Sequence, residues 1–365
     1  MNTPLNNSLK PVITKMLAYA GAGATLLLAV AMPPTAAVAA GTATGYSGTQ
    51  TFVTAAGKDP SEPNACGVIG GASYWFSYQP PTNGIATFNT SNTAFNTVLG
   101  VYVDDGRNLG YSSLVSVTCN DNATNTVLWS SVTWPASKLT NYFIMFDGVN
   151  GAYGTAYLNY NLNAYPSVTT IANKTVNEDT STGAIAFTVG DKETAVGSLV
   201  VSATSSNTAL VATTNIILAG TTASRTISIT PITNKFGTTL ITLTVKDAAG
   251  ATTNSSFLLT VTAVNDAPKA VSDTVTRLPG QSITIARAFP VRNDTDVDST
   301  NLTVTAVAAL SKNGKAITLN STNIIYAANT TTNQDYFTYT VSDGALTATG
   351  TNYINVGTNG VLIVN

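Results

Sequence analysis

Asn265-Asp266-Ala267-Pro268 separates two stretches of Thr- and Val-rich alternation. Before it run Thr238-Thr239-Leu240-Ile241-Thr242-Leu243-Thr244-Val245-Lys246-Asp247 and Ser256-Phe257-Leu258-Leu259-Thr260-Val261; beyond it the same scheme reaches Tyr339-Thr340-Val341-Ser342-Asp343-Gly344. Successive side chains of a strand point to opposite faces, so this spacing puts apolar groups on one face and hydroxyls on the other. Pro268 lacks a backbone donor and biases Ala267 toward extended geometry, so one strand ends here and a new unit starts almost at once. The tetrapeptide therefore reads as a joint between two β-sandwiches, and the oxygen-bearing side chains of Asn265 and Asp266 can cap that joint or bind a cation. Leu243-Thr244-Val245-Lys246-Asp247 and Tyr339-Thr340-Val341-Ser342-Asp343 stand 96 residues apart and each leads into a last strand, which marks internal repetition.

Working outward, the amino terminus sets the expected compartment. Lys10 and Lys15 precede an apolar run from Leu17 to Met32, followed by Pro33-Pro34 and Ala36-Ala37-Val38-Ala39-Ala40. This is the layout of a secretory signal peptide over residues 1–40, with cleavage after Ala39 or Ala40. The run is short for a bilayer span, and no later segment is apolar enough for one. The expectation is an exported chain, extracellular or at the cell surface, with no membrane span after cleavage.

About 325 residues then remain, enough for two or three domains. Charged residues make up only 9% of the chain, against about 25% in an ordinary domain; Thr, Ser and Asn carry the polar load, which suits strands better than helices. The leader takes two of the 16 basic residues and none of the 18 acidic ones, leaving an acidic excess. Nucleic acid is not an expected partner, because phosphate binding needs a basic stripe.

Cys66 and Cys119 both fall in the first unit of the mature chain. An even pair in one exported module points to a disulfide, and closing a loop of about 53 residues contributes roughly 4 kcal/mol in the chain-entropy picture. A thiolate metal site needs further ligands nearby, and none has the spacing.

Three modules follow from the pattern: residues 41–165, 166–267 and 268–357, with a tail at 358–365. The first alternates in Ser73-Tyr74-Trp75-Phe76-Ser77-Tyr78, Ile85-Ala86-Thr87-Phe88-Asn89, Thr97-Val98-Leu99-Gly100-Val101-Tyr102-Val103 and Tyr142-Phe143-Ile144-Met145-Phe146, with Gly, Asn, Asp and Pro between the runs. Five blocks in order, from Cys66 through Gly71-Ala72-Ser73-Tyr74-Trp75-Phe76, Asn96-Thr97-Val98-Leu99-Gly100-Val101-Tyr102 and Cys119-Asn120-Asp121-Asn122 to Asp147-Gly148-Val149-Asn150-Gly151, resemble the bacterial pre-peptidase C-terminal domain. The resemblance implies a jelly-roll-like, non-catalytic appendage of secreted proteins. Some members of that family bind calcium, which singles out Asp104-Asp105 and Asn120-Asp121 here.

The second module opens on Asn177-Glu178-Asp179-Thr180, continues through Ala184-Ile185-Ala186-Phe187-Thr188-Val189 to Asp191-Lys192-Glu193, and closes at the joint. Strands at intervals of about ten residues in a unit of about a hundred indicate a sandwich of seven or so strands. The block order resembles bacterial immunoglobulin-like and cadherin-like tandem repeats. The third module, with Asn293-Asp294-Thr295-Asp296-Val297-Asp298, is similar to the cadherin-like kind.

Chemistry is narrowed by the absence of histidine from the whole chain. Histidine-dependent nucleophile systems, histidine general bases and the usual zinc-hydrolase ligand sets are excluded. A carboxylate pair, as in glycoside hydrolases, is the remaining catalytic option, but the acidic clusters lie in turns, where Asp and Asn are ordinary formers. Calcium takes six to eight oxygen ligands, and Asp294, Asp296 and Asp298 at alternate positions are spaced to turn inward on one ion. Asn265, Asp266, Glu178, Asp179, Asp191 and Glu193 match cadherin-like ligand positions, although no second Asn follows Asp266 and no glycine follows the acidic run. Trp129, Trp134 and the tyrosines from Tyr153 to Tyr165 are candidates for a sugar platform, while Trp75, inside an alternating strand, belongs to the core. The expected function is a non-catalytic, calcium-stabilised modular protein in adhesion or extracellular binding, with a protein, a carbohydrate or a second copy as partner. The alternatives are the accessory, substrate-targeting region of an exported hydrolase and, more remotely, a carboxylate-based glycosidase.

Overall fold

In a computed structural model, which describes residues 40–107, 109–330 and 332–357, the alternating runs become strands of six separate sheets. The leader up to residue 39 and the tail at 358–365 lie outside the described residues. Among the described residues, no helix is long and apolar enough to cross a membrane.

The first module contains β1 (Gly41–Ala43), β2 (Ser47–Val53), β3 (Tyr74–Tyr78), β4 (Gly84–Asn89), β5 (Thr97–Asp104), β6 (Leu114–Asn120), β7 (Ser131–Ala136), β8 (Tyr142–Gly148) and β9 (Thr155–Ala164). A sheet of order β1-β3-β8-β5-β6 faces one of order β2-β9-β4-β7. Between them pack Phe52, Phe76, Tyr78, Phe88, Leu99, Trp134, Ile144, Phe146 and Leu158. Every residue of β8 is buried, because its outer face is covered too. There Phe143 and Met145 join Trp75, Val98 and Tyr102 in a second cluster against Ala65 and Cys119. Hence Tyr142–Phe146 is continuously apolar rather than alternating, as a strand buried on both faces requires. Cys66 and Cys119 are bonded across this outer cluster, with Cα atoms 5.6 Å apart.

The second module contains β10 (Ser167–Val168), β11 (Lys174–Asn177), β12 (Ile185–Gly190), β13 (Val200–Ser205), β14 (Ile216–Ala219), β15 (Ser224–Ile229), β16 (Gly237–Lys246) and β17 (Thr252–Thr262). Its sheets run β10-β12-β15-β14 and β11-β17-β16-β13. The first segment changes sheets: β10 pairs antiparallel with β12, and β11 then pairs parallel with β17. In β16 the residues Thr239, Ile241, Leu243 and Val245 point inward and Leu240, Thr242 and Thr244 outward, as the alternation requires.

The third module contains β18 (Asp273–Arg277), β19 (Ile283–Ala286), β20 (Thr303–Val307), β21 (Ile317–Leu319), β22 (Asn323–Tyr326), β23 (Asp335–Ser342) and β24 (Thr347–Val356), in sheets β18-β24-β23-β20 and β19-β22-β21. The 96-residue echo falls on equivalent strands, β16 and β23, each hairpinned to the last strand of its module. Each module keeps its own core, the second around Phe187, Ile227, Ile241, Leu243 and Phe257 and the third around Val275, Ile324, Tyr326, Phe337 and Ile354. The chain is thus an all-β array of tandem sandwiches.

Candidate functional site

The long hairpins β16–β17 and β23–β24 turn on Asp247 and Asp343, and both aspartates face the segment that leads in from the preceding module. Asp247 Oδ1 accepts the Ala251 N–H (2.8 Å) and its Oδ2 accepts Asn163 Nδ2 (2.7 Å). Asp343 Oδ1 accepts the Ala345 and Leu346 N–H groups, and its Oδ2 accepts Asn265 Nδ2 (2.7 Å). These bonds, that from Asn265 first, hold the Asp343 carboxyl below its ordinary range. Asn163 and Asn265 each stand three residues before a proline, Pro166 and Pro268.

A second bond repeats beside the first. The Ala164 N–H donates to Glu193 Oε2 (3.1 Å), and the Asp266 N–H donates to Asp298 Oδ2 (2.7 Å). Glu193 and Asp298 are aimed by turns of one kind: Asp191 Oδ1 accepts the N–H groups of Glu193 and Thr194, and Asp296 Oδ1 accepts those of Asp298 and Ser299. Both joints are therefore braced twice, side chain to side chain and carboxylate to linker backbone, through equivalent positions. Asn163, Asp247 and Asp343 were not among the expected site residues, although Asn163-x-x-Pro166 and Asn265-x-x-Pro268 stand 102 residues apart in the sequence.

The joints differ in charge. At the first, Ala164 occupies the place of Asp266, and Lys192, between Asp191 and Glu193, lies over the Tyr46 ring, 5.0 Å from its centroid. Burial raises the Glu193 carboxyl above its ordinary range, although the Ala164 N–H works against that. At the second, Val297 replaces the lysine, and the far end of the second module adds Glu178 and Asp179. Buried Glu178 grips the outgoing chain by accepting the Val264 N–H (2.8 Å), and Asp179 accepts the Asn234 N–H from a left-handed backbone (φ 60°). Desolvation first, then the charges of Asp179, Asp298, Glu178 and Asp296, push the Asp266 carboxyl upward. Asp266 Oδ2 and Asp296 Oδ2 are shut off from solvent without a hydrogen-bond partner. Asp191 Oδ2 at the first joint is in the same condition.

Three expectations are redrawn by this geometry. Asp191 and Glu193 do not share a site with Asn265 and Asp266; they follow β12 at the opposite end of the second module and serve the first joint. Asp294 does not turn toward Asp296 and Asp298. It is buried in the third module, where it accepts the Val271 N–H (2.7 Å) and the Tyr339 hydroxyl (3.1 Å), and burial raises its carboxyl. Trp134 is no platform: it lies 3% exposed between the sheets, its ring 5.4 Å from those of Phe88 and Tyr142. Trp129 is half-buried, and among the tyrosines Tyr160 is buried while Tyr153 is exposed. Trp75 is a core residue, as expected.

In the first module, Asp104 and Asp105 make a turn, accepting the Gly106 and Arg107 N–H groups, and Arg107 pairs with Asp105. Those bonds, the backbone one first, hold Asp105 low. Asn120 and Asp121 lie at the other end of the β5–β6 pair, where Asn120 Oδ1 accepts the Ser131 N–H, so one ion does not take both sets. Asp121 Oδ1 and Asn122 Oδ1 are buried there without partners. Among the described residues, no three His, Cys, Asp or Glu side chains form a ready metal cage. The second joint assembles carboxylates of two modules in one another's field, and Glu178, Asp179, Asp296 and Asp298 each spend an oxygen on a backbone N–H.

No curated protein sequence matches the chain. Among solved structures it is similar to the human desmocollin-1 ectodomain, at 12% identity over 65% of this chain and 51% of that one (TM-score 0.36). An I-band fragment of titin is similar at 12% identity over 76% and 94% (TM-score 0.27), and an endo-fucoidan hydrolase of glycoside hydrolase family 107 at 13% over 64% and 36% (TM-score 0.24). Residues 265–355, which take in the second joint and the third module, match the bacterial Ig domain.

Proposed function

We propose that this chain is an exported, non-catalytic binding protein of the bacterial cell surface or medium, whose role is adhesion and whose second joint is set by calcium. One observation carries the reading: two joints share a brace, and only the second gathers Glu178, Asp179, Asp266, Asp296 and Asp298 with no basic side chain in the acidic turn. The oxygens of Asp266 and Asp296 that lack partners are the chemistry a hard cation takes, with Glu178, Asp179 and Asp298 completing an all-oxygen shell. Without a cation these carboxylates repel one another, which works against the two brace bonds and loosens the joint. Export is supported by the leader-like amino terminus and by the Cys66–Cys119 bond, which suits an oxidising compartment. The non-catalytic reading is supported by the absence of histidine and by the use of the acidic turns as braces. The first module stands in it as a pre-peptidase C-terminal-like appendage.

Small-angle scattering from residues 41–365, in millimolar calcium and then in chelator, tests the joint. The expected result is one extended shape in calcium and a broader spread of distances in chelator, with Asp266→Ala behaving in calcium as the parent does in chelator. Identical profiles in both buffers would remove the cation from the reading.

A further inference from the structure

A cleft of about 580 Å3 lies between the first two modules, where the outer face of β4, β7 and β9 meets the tip of the β16–β17 hairpin. Its floor is built by strand register. Thr87 stands opposite Thr133 on one side and Asn161 on the other, and Ile85 stands opposite Asn163. Tyr165 and the hairpin residues 249–252 complete the lining.

No charged side chain lines this space. Asp247, beside the cleft, is 3% exposed and has both oxygens engaged, one by Asn163 and one by the hairpin backbone, and Glu193 has an oxygen on the Ala164 N–H. Lys246 stands outside the lining, its Cε 3.9 Å from where a Cβ on Gly250 would be; set against the lining itself, an anion meets no cation and a cation no free carboxylate, so a charged group there loses hydration without return. The lining is instead a mixture of ring, methyl, hydroxyl and amide. Thr87 and Thr133 pair their hydroxyls at 3.0 Å and keep lone pairs in reserve. The side chains of exposed Asn161 and half-buried Tyr165 take no hydrogen bond among the described residues, so an amide and a phenol are free to bind.

We propose that this cleft binds a short neutral oligosaccharide. A sugar ring has an apolar C–H face suited to Tyr165 and Ile85 and a hydroxyl rim that both gives and takes hydrogen bonds, as Asn161, Thr87 and Thr133 do. The volume falls within the roughly 300–1,000 Å3 of small-ligand sites and suits an oligosaccharide better than a single ring. Because the cleft is shared by two modules, its shape depends on the Asn163–Asp247 and Glu193–Ala164 bonds that hold the first joint. This assignment goes beyond adhesion and does not depend on the cation at the second joint.

The test is titration calorimetry on residues 41–365 in chelator, with cellotriose, xylotriose, mannotriose, maltotriose and diacetylchitobiose as neutral probes and digalacturonate and a sulfated disaccharide as charged ones. At least one neutral probe binds with a millimolar or tighter Kd, and Asn161→Arg, at an exposed position that leaves the melting temperature unchanged, weakens it by about tenfold or more. Tyr165→Phe keeps the ring and weakens the same probe less. The proposal is overturned if no neutral probe binds, if the charged probes bind equally well, or if Asn161→Arg binds as the parent does. Each of these results leaves the calcium scattering result standing, so the two readings fail separately.

Discussion

Calcium bound at the second joint, as proposed, is expected to change the unfolding of residues 41–365 by an amount that follows from where the acidic residues sit. Glu178 and Asp179 belong to the second module and Asp296 and Asp298 to the third, so an ion held between them is lost when either module unfolds. At a free concentration a hundredfold above its dissociation constant, a ligand bound by the folded state alone adds about 2.7 kcal/mol. Spread over a cooperative unit of about 190 residues, where each kcal/mol moves the midpoint by about 2–4 °C, this is a rise of about 5–11 °C. The assay is thermal unfolding in millimolar calcium and in chelator, on the parent and two variants. Asp296→Asn keeps the side-chain oxygen that accepts the Asp298 and Ser299 N–H groups and removes the charge, so its turn survives in chelator and its calcium response is lost. Asp191→Asn makes the same change at the first joint and leaves the response intact. A shift under 1 °C in the parent, or loss of the response in Asp191→Asn rather than Asp296→Asn, would refute the assignment to the second joint.

Two further outcomes follow from buried charges. Lys58 Nζ lies 3.1 Å from Asp147 Oδ2 and bonds the Pro63 carbonyl and Asn64, while Asp147 Oδ1 takes the Gly71 and Ala72 N–H groups; the side-chain exposures of the pair are 11% and 0%. A Cβ on Gly70 would collide with Asp147, so the loop fits the carboxylate only as glycine. Lys58→Met strands that charge and costs about 3–5 kcal/mol in urea unfolding followed by tryptophan fluorescence, which reports on the first module alone; adding Asp147→Asn recovers part of the loss, and a cost below about 1 kcal/mol for Lys58→Met sinks the argument. In the third module, burial first, and then the charge of Asp294, raise Asp273 from 3.8 to about 6. The folded state then holds a proton that the unfolded chain has released, so this group's contribution is fully present below pH 4 and is lost as pH rises through 6. At 1.36 kcal/mol per tenfold change the loss is about 3 kcal/mol. Asp273→Asn removes that slope between pH 4 and 6 in denaturant unfolding; an unchanged slope places the proton elsewhere.

Strands were legible where a two-residue period had one wet face, as in β16 and β23, and Trp134 shows the cost of weighing neighbours over period. Val132, Trp134 and Ala136 alternate inward, but Ser131, Thr133 and Pro135 made the stretch look exposed. Pro135 is tolerated because β7 is an edge strand, and its presence says nothing about the far face. The Cys66–Cys119 bond was legible from count and module. Asp294 was not separable from Asp296 and Asp298, since alternate spacing in a loop does not reveal that Tyr339, 45 residues away, draws the first inward. Nor could sequence place Asp191 and Glu193 at the correct end of their sandwich, which depends on the direction of β12.

The two joints show how one brace serves different ends with few substitutions. An Asn three residues before a proline, an Asp at the hairpin turn and an acidic residue on the linker N–H recur in both, so neither joint is a loose tether. At the first joint the acidic turn carries its own cation, Lys192, which also covers Tyr46, and the linker position is Ala164. At the second, Val297 stands for the lysine and Asp266 for the alanine, and the module before it adds Glu178 and Asp179. Carboxylates brought together by folding raise one another's proton affinity until a positive charge arrives. The first joint supplies that charge from its own sequence and is set by folding alone. On the calcium reading proposed above, the second takes it from the medium, and the orientation of the third module then follows what the protein is bathed in.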